Sequence, residues 1–410
     1  MMRRYSSSRN FVAGIAIAIA ALSTVTGCAT RSADESTSSA DLDVKMPTDG
    51  KAAGDGEVSV NPGATARVSG DVTPADVLEW QKFFKAPPTV DQRGMLEKQI
   101  SGWSNASKPA DILARGRSEQ AIGRLPAADA SFREVLRREP NNLEALLELA
   151  ALQLRMRKTA RAFDSLTQLR SEIGVQRDVP QALVFRYRYV LALGYLARGD
   201  RDKGHKVLSD LIGVDKEFAP GYAALASSYL GLGRDSVAEF IAKRGVDRAK
   251  QDAALFNILG VVAERRNDGS SARANFNRAL EITPTFGPAL VNRSALAVRE
   301  GELGAAEEDI LRALLYDPTN VDALVTLAVV QRRTGRFEAA RATLEKAINV
   351  DPDNAVARFN LAVLMAQELK KPAVARRLFN EVLQTSSATP EVKDYAKSYL
   401  SDLQASAEAL

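Results

Sequence analysis

Residues 253–286 read AALFNILGVVAERRNDGSSARANFNRALEITPTF, and residues 287–320 and 321–354 repeat that pattern with other side chains. Leu259-Gly260, Ala272, Phe276, Ala279 and Pro284 return as Ser294, Ala306, Ile310, Ala313 and Pro318, then as Leu327-Ala328, Ala340, Leu344, Ala347 and Pro352. Ala272, Ala306 and Ala340 set the period at 34 residues. Within one unit, Phe256, Leu259 and Ala263 share one face of a first helix, and Ala272, Phe276 and Ala279 share one face of a second. The small Gly260 and Ala272 let the two helices approach, and Phe276 fills the gap between them. Pro284 stops the second helix because its ring cannot continue the hydrogen-bond ladder. One such hairpin cannot bury its apolar faces alone, so the units must stack into an all-α solenoid.

This period and this residue set resemble the tetratricopeptide repeat (TPR). Extending the register gives units beginning near Pro109, Leu143, Phe185, Ala219, Ala253, Gly287, Val321 and Ala355, which makes eight repeats over residues 109–388. The first is degenerate in its first helix (Ile112, Gly116) and clear in its second (Ala128, Phe132, Pro140). Eight extra residues between the second and third units, around Gly174 to Gln181, are expected to form a longer loop. A one-residue insertion falls near Lys370-Lys371-Pro372. Residues 389–410 read as a capping helix opened by Thr389-Pro390, with Val392, Tyr395 and Tyr399 inward. Arg293 stands where other late repeats have Leu259, Leu327 and Leu361; its stem either snorkels to solvent or pairs inside with an acid.

The chain ahead of the repeats divides into three parts. Residues 1–27 have the pattern of an export signal, with Arg3, Arg4 and Arg9 followed by an apolar run from Phe11 to Leu22 that is short for a bilayer span of about 20 residues. Val25-Thr26-Gly27-Cys28 resembles the lipobox of bacterial lipoproteins, which implies cleavage before Cys28 and acylation of its thiol; the alternative is an incidental cysteine. Cys28 is the only cysteine, so no intrachain disulfide is possible. In many Gram-negative lipoproteins a residue other than Asp after the cysteine, here Ala29, favours the outer membrane over the inner. Residues 28–72, rich in Ser, Thr, Asp, Gly and Ala, read as a flexible tether with a span on the order of 35 to 40 Å. Residues 73–108 read as an N-terminal helical cap. Its stripes are Val77, Trp80 and Phe84, then Met95, Leu96, Ile100 and Trp103. They either cover the first repeat or, through Trp80, Phe83 and Phe84, form a docking surface.

Formal net charge is +4, but Arg3, Arg4 and Arg9 belong to the signal, which leaves +1. A nucleic-acid partner, which needs a basic face, is therefore not expected. With one histidine and one cysteine there is no Cys-His pair and no metal-ligand cluster, and no Gly-rich phosphate loop appears. The chain reads as no enzyme, with no cofactor and no metal, and His205 as a solvated surface residue.

In the TPR family the first helices line a concave groove. Carried to this sequence, the family's offsets place Val261, Val291, Val325, Val329, Phe359 and Val363 in that groove and Arg265, Arg299, Arg332 and Arg333 along its edge. Asn292 and Asn360 share one repeat position with Thr326 between them; they are either a short amide ladder for an extended peptide or ordinary asparagines. The Lys and Arg arrangement of chaperone-tail clamps is not reproduced. The layout resembles outer-membrane TPR lipoproteins that assist type IV pilus secretin assembly or gliding motility. It implies an anchored scaffold facing the periplasm and binding other envelope proteins or their extended segments. The alternative is an accessory subunit that recruits periplasmic cell-wall or polysaccharide enzymes.

Overall fold

The computed structural model describes residues 88–408, apart from 104, 106–107, 177 and 250. The expectations for residues 1–72 and for the Val77, Trp80, Phe83 and Phe84 stripe lie outside the described residues. Helix α1 (Val90–Gly102) precedes eight helical hairpins. These are α2 (Pro109–Ala121) with α3 (Leu125–Arg138), α4 (Leu143–Arg155) with α5 (Thr159–Val175), and α6 (Gln181–Arg198) with α7 (Arg201–Val214). Next come α8 (Ala219–Gly231) with α9 (Asp235–Arg248), α10 (Ala253–Arg265) with α11 (Gly269–Ile282), and α12 (Gly287–Glu300) with α13 (Leu303–Tyr316). Then follow α14 (Val321–Arg333) with α15 (Phe337–Val350) and α16 (Ala355–Gln367) with α17 (Pro372–Gln384). Helix α18 (Pro390–Glu408) closes the stack. No strand occurs among the described residues.

Local chemistry sets the helix ends. Asn142, Asp252, Asn320 and Asn354 each stand just before a first helix and accept a hydrogen bond from the third residue's N–H at 2.8–3.0 Å. Between the two helices of each hairpin the chain passes through one left-handed residue: Gly123, Arg157, Gly199, Gly233, Asn267, Gly301, Gly335 and Lys370. Inside the hairpin the close approach is steric. A Cβ added to Gly260 would meet the Phe276 ring at 2.4 Å, and one added to Gly116 would meet the Phe132 ring at 2.6 Å. Each first helix packs on its own second helix and also touches the next repeat's first helix, which makes the core continuous.

Three expectations are corrected. The extra residues of the third unit form no long loop: they lengthen α5 to Val175 and start α6 at Gln181, because Leu169, Ile173, Leu183 and Val184 continue the apolar pattern and are buried. In α18 the inward set is Val392, Ala396 and Tyr399, whereas Tyr395 is exposed. In α1, Ile100 is buried but Met95 projects to solvent. No described helix is long and apolar enough to cross a membrane.

Phe276→Ala should destabilise the fifth and neighbouring repeats by about 3–5 kcal/mol, since the cavity cannot collapse against a helix already at glycine distance. Urea unfolding followed by circular dichroism measures the loss.

Candidate partner-binding surface

The residues expected to line an open groove do not line one. Val261, Val291, Val325, Val329, Phe359 and Val363 are all buried. They sit between successive first helices, and the burial is continuous from Ala323 to Val330 in α14. A helix apolar all round is a core element, not a lining. The amide ladder also dissolves. Asn292 donates to Asn257 Oδ1 at 2.9 Å, Asn360 donates to the Val356 carbonyl of its own helix at 2.9 Å, and Thr326 donates to the Asp322 carbonyl at 2.9 Å. All three are buried, so none presents its polar group to a peptide.

The expected basic edge is likewise engaged from within. Arg265 pairs with Asp235 at 2.6 Å and donates to the Leu230 carbonyl at 2.8 Å. Arg333 donates to the Val298 carbonyl, and Arg155 donates to the Gln120 carbonyl at 3.3 Å. In all three cases an arginine in the last turn of a first helix reaches the last turn of the preceding first helix, where the terminal carbonyls carry the negative end of the helix dipole. Arg332 bonds Gln367 and Glu368, and Arg299 lies 3.3 Å from Glu264. Burial pushes the Glu264 carboxyl upward, with Arg299 and Arg265 opposing and Glu300 reinforcing.

Sequence reasoning missed a second polar layer at the other end. Arg117 of α2 and Arg186 of α6 both pair with Glu144 and Glu148 of α4, with Arg186 at 2.9 and 3.0 Å, so two cations and two anions neutralise each other across three repeats. Arg293 does have an inside partner. Its Nε and Nη2 donate to the two oxygens of Asp309 on α13 at 2.7 Å each, and Nη1 donates to Asn277 on α11. His205 is half-buried, not solvated: it bonds Ser228 Oγ at 2.8 Å and stacks on Tyr229. Burial lowers its pKa, with Asp202 opposing, so the ring is neutral at neutral pH. Among the described residues no group of three His, Cys, Asp or Glu side chains is placed to hold a metal ion.

An open cleft of about 1030 Å³ lies on the last hairpin, bordered by Asp353, Arg358, Arg376, Arg377, Asn380 and Glu381. Arg358 and Arg377 both lean on Glu381, at 3.2 and 3.6 Å. Guanidinium groups in an accessible recess can take a carboxylate in fork geometry.

Residues 113–172 and residues 297–359 each match a tetratricopeptide-repeat family model. The chain carries tetratricopeptide repeats. Among solved structures, the hetero-tetramer Cut9-Hcn1 of the APC/C aligns with a TM-score of 0.53 and 16% identity, over 76% of this chain and 58% of that one. The present chain thus spans less than two thirds of that relative's length, and the likeness is one of fold. A tetratricopeptide repeat protein from Parabacteroides merdae ATCC 43184 aligns at 18% identity and a TM-score of 0.41, over 63% of this chain and 98% of that one. PilW, a widely conserved type IV pilus biogenesis factor, aligns at 20% identity and a TM-score of 0.42, over 52% of this chain and 97% of that one. No curated protein matches the sequence.

Asp309→Ala should cost about 2 to 3 kcal/mol by stranding the Arg293 guanidinium, while the double change Arg293→Leu with Asp309→Ala should return to within about 1 kcal/mol of the parent. Chemical denaturation of the three proteins decides it.

A second expectation concerns Asp322 at the start of α14. Burial pushes its carboxyl up to about 6, with Arg157 opposing and Asp351 reinforcing. The folded state therefore holds this proton more tightly than the unfolded chain, and the group's contribution to stability is lost as pH rises through about 6. The Tm of the parent minus that of Asp322→Asn should become more positive between pH 7 and pH 5, read by calorimetry.

Proposed function

We propose that this protein is a lipid-anchored TPR scaffold of the cell envelope that works by holding partner proteins and not by catalysis. The observation that carries the reading is the stack of eight helical hairpins, whose period-34 core is devoted to building an extended protein surface. The lipobox-like Val25-Thr26-Gly27-Cys28 supports attachment to a membrane through acyl chains on Cys28. Two or more chains anchor stably where one is marginal. Residues 28–72 then set the repeats off from the bilayer. The layout supports an outer-membrane site facing the periplasm and a role in assembling an envelope machine of the pilus-secretin or gliding-motility class. Its partners are envelope proteins or extended segments of them. The accessible cleft beside Arg376 and Arg377 offers them a recess with guanidinium groups.

The test has two arms. Metabolic labelling with a clickable palmitate should mark the parent and not Cys28→Ala, and that variant should leave the membrane fraction; an unlabelled parent that washes off membranes removes the anchor. Crosslinking in cells, followed by capture, should yield secretin or motility subunits, with reduced yield from Arg376→Glu combined with Arg377→Glu. Recovery of cell-wall or polysaccharide enzymes instead would assign the scaffold to those complexes.

A further inference from the structure

The early and late repeats meet in space although they are far apart in sequence. Arg93 of α1 donates from Nη1 to the Leu315 carbonyl at 2.7 Å, across 222 residues. Arg155 lies 3.8 Å from Asp317, and Arg157 donates from Nη1 to Asp351 Oδ2 at 2.9 Å, across 194 residues. Gly123 passes so close under the Tyr316 carbonyl that an added Cβ would stand 2.5 Å from its oxygen. The donors belong to α1 and to the end of α4 with the turn that follows it. The acceptors belong to the C-terminal end of α13 and to the loops leading into α14 and α16. The stack thus curls back on itself, and its early and late repeats meet along a seam that includes two ion pairs.

The backbone at the seam carries a second, independent signal. Of the eight hairpin turns, five place glycine at the left-handed residue, one places Asn267 and one, the irregular turn, Lys370. The second repeat places Arg157 there, at φ 58°. A long side chain is disfavoured in that region, where glycine is at ease and asparagine is tolerated. Lys370 bears the same cost in the turn with the one-residue insertion, whereas Arg157 bears it in a regular turn, where backbone cost points to a use for the side chain. The one contact that distinguishes this turn is the Arg157 guanidinium on Asp351, beside Asp322.

We propose that Arg157 is a latch that holds the early repeats of the solenoid shut against the seventh and eighth repeats, and that the seam opens and closes with ionic strength. Its side chain is largely exposed, so added salt screens the attraction. Opening requires only a small rocking at each of several inter-repeat contacts, which sums to a wide gap at the seam. The inference concerns the shape of the solenoid and is independent of the membrane anchor and of the partner class.

Hydrogen exchange of the full chain, read on peptides covering residues 120–124 and 316–322, tests it. Between about 0.1 M and about 1 M salt, where the screening length falls from about 10 Å to about 3 Å, exchange of these peptides should rise several-fold in the parent while the α10–α11 hairpin is unchanged. Arg157→Gly introduces the residue the sibling turns already use, so it should keep its helical circular dichroism yet exchange at the seam as fast at low salt as the parent does at high salt. Asp351→Asn should do the same from the opposite side, which covers the case of a misfolded Arg157→Gly. The swap Arg157→Asp with Asp351→Arg should restore protection. Unchanged seam exchange in folded Arg157→Gly or in Asp351→Asn, or a parent insensitive to salt, overturns the latch.

Discussion

Seven of the eight repeats depend on one steric complement, a small residue in the middle of the first helix facing a larger one in the second. Gly116 with Phe132 and Gly260 with Phe276 show the contact at its tightest, where even a methyl group would collide with the ring. The same two positions are Ala150 and Leu166, Ala192 and Leu208, Ser294 and Ile310, Ala328 and Leu344, and Ala362 and Phe379 elsewhere, all buried. Ser294 is tolerated in full burial because its hydroxyl donates to the Val291 carbonyl at 2.6 Å. In the fourth repeat both partners, Ala226 and Ala242, are small, and Tyr222 joins the same apolar cluster. Once the helices are locked at this distance, both expose an apolar flank that only the next hairpin can cover, and the array follows.

This complement explains why the fold was legible in the sequence. Period, small-to-large pairing, Asn or Asp before the first helices and Pro after the second are local signals, and the helices begin at Pro109, Leu143, Ala219, Ala253, Gly287, Val321 and Ala355 as the register expects. The third hairpin departs because Leu183 and Val184 extend the buried face ahead of Phe185, a preference that competes with the repeat register and wins. The Arg293 position was legible as an anomaly, but its partner was not. Asp309 lies on the adjacent helix of the same hairpin, yet it is followed closely by Arg312, with which it also fits a helical pair at 3.6 Å.

The candidate groove was illegible for a different reason. Whether Val261 or Val325 faces a channel or a neighbouring helix depends on how far each repeat is rotated relative to the next. A rotation of that kind accumulates over the whole stack and has no signature within 34 residues. The structure resolves it toward tight stacking, in which inner positions become inter-repeat core. The seam between distant repeats is the same rotation seen at longer range: it brings Arg157 to Asp351, a pairing that no helical spacing could announce.

The charges show the same economy. Arg117, Arg155, Arg186, Arg265, Arg293, Arg299, Arg332 and Arg333 all have a carboxylate, carboxamide or carbonyl of this chain beside them. An acidic partner approaching these arginines would exchange one charge-assisted contact for another, with desolvation to overcome and little net gain. Affinity at such a surface must then come from apolar contact area or from groups left unpaired. Among apolar side chains, Val175, Phe240 and Leu311 on second helices and Met95 on α1 keep more than half their surface in water. The inner charges thus engage one another and the helix ends of adjacent repeats.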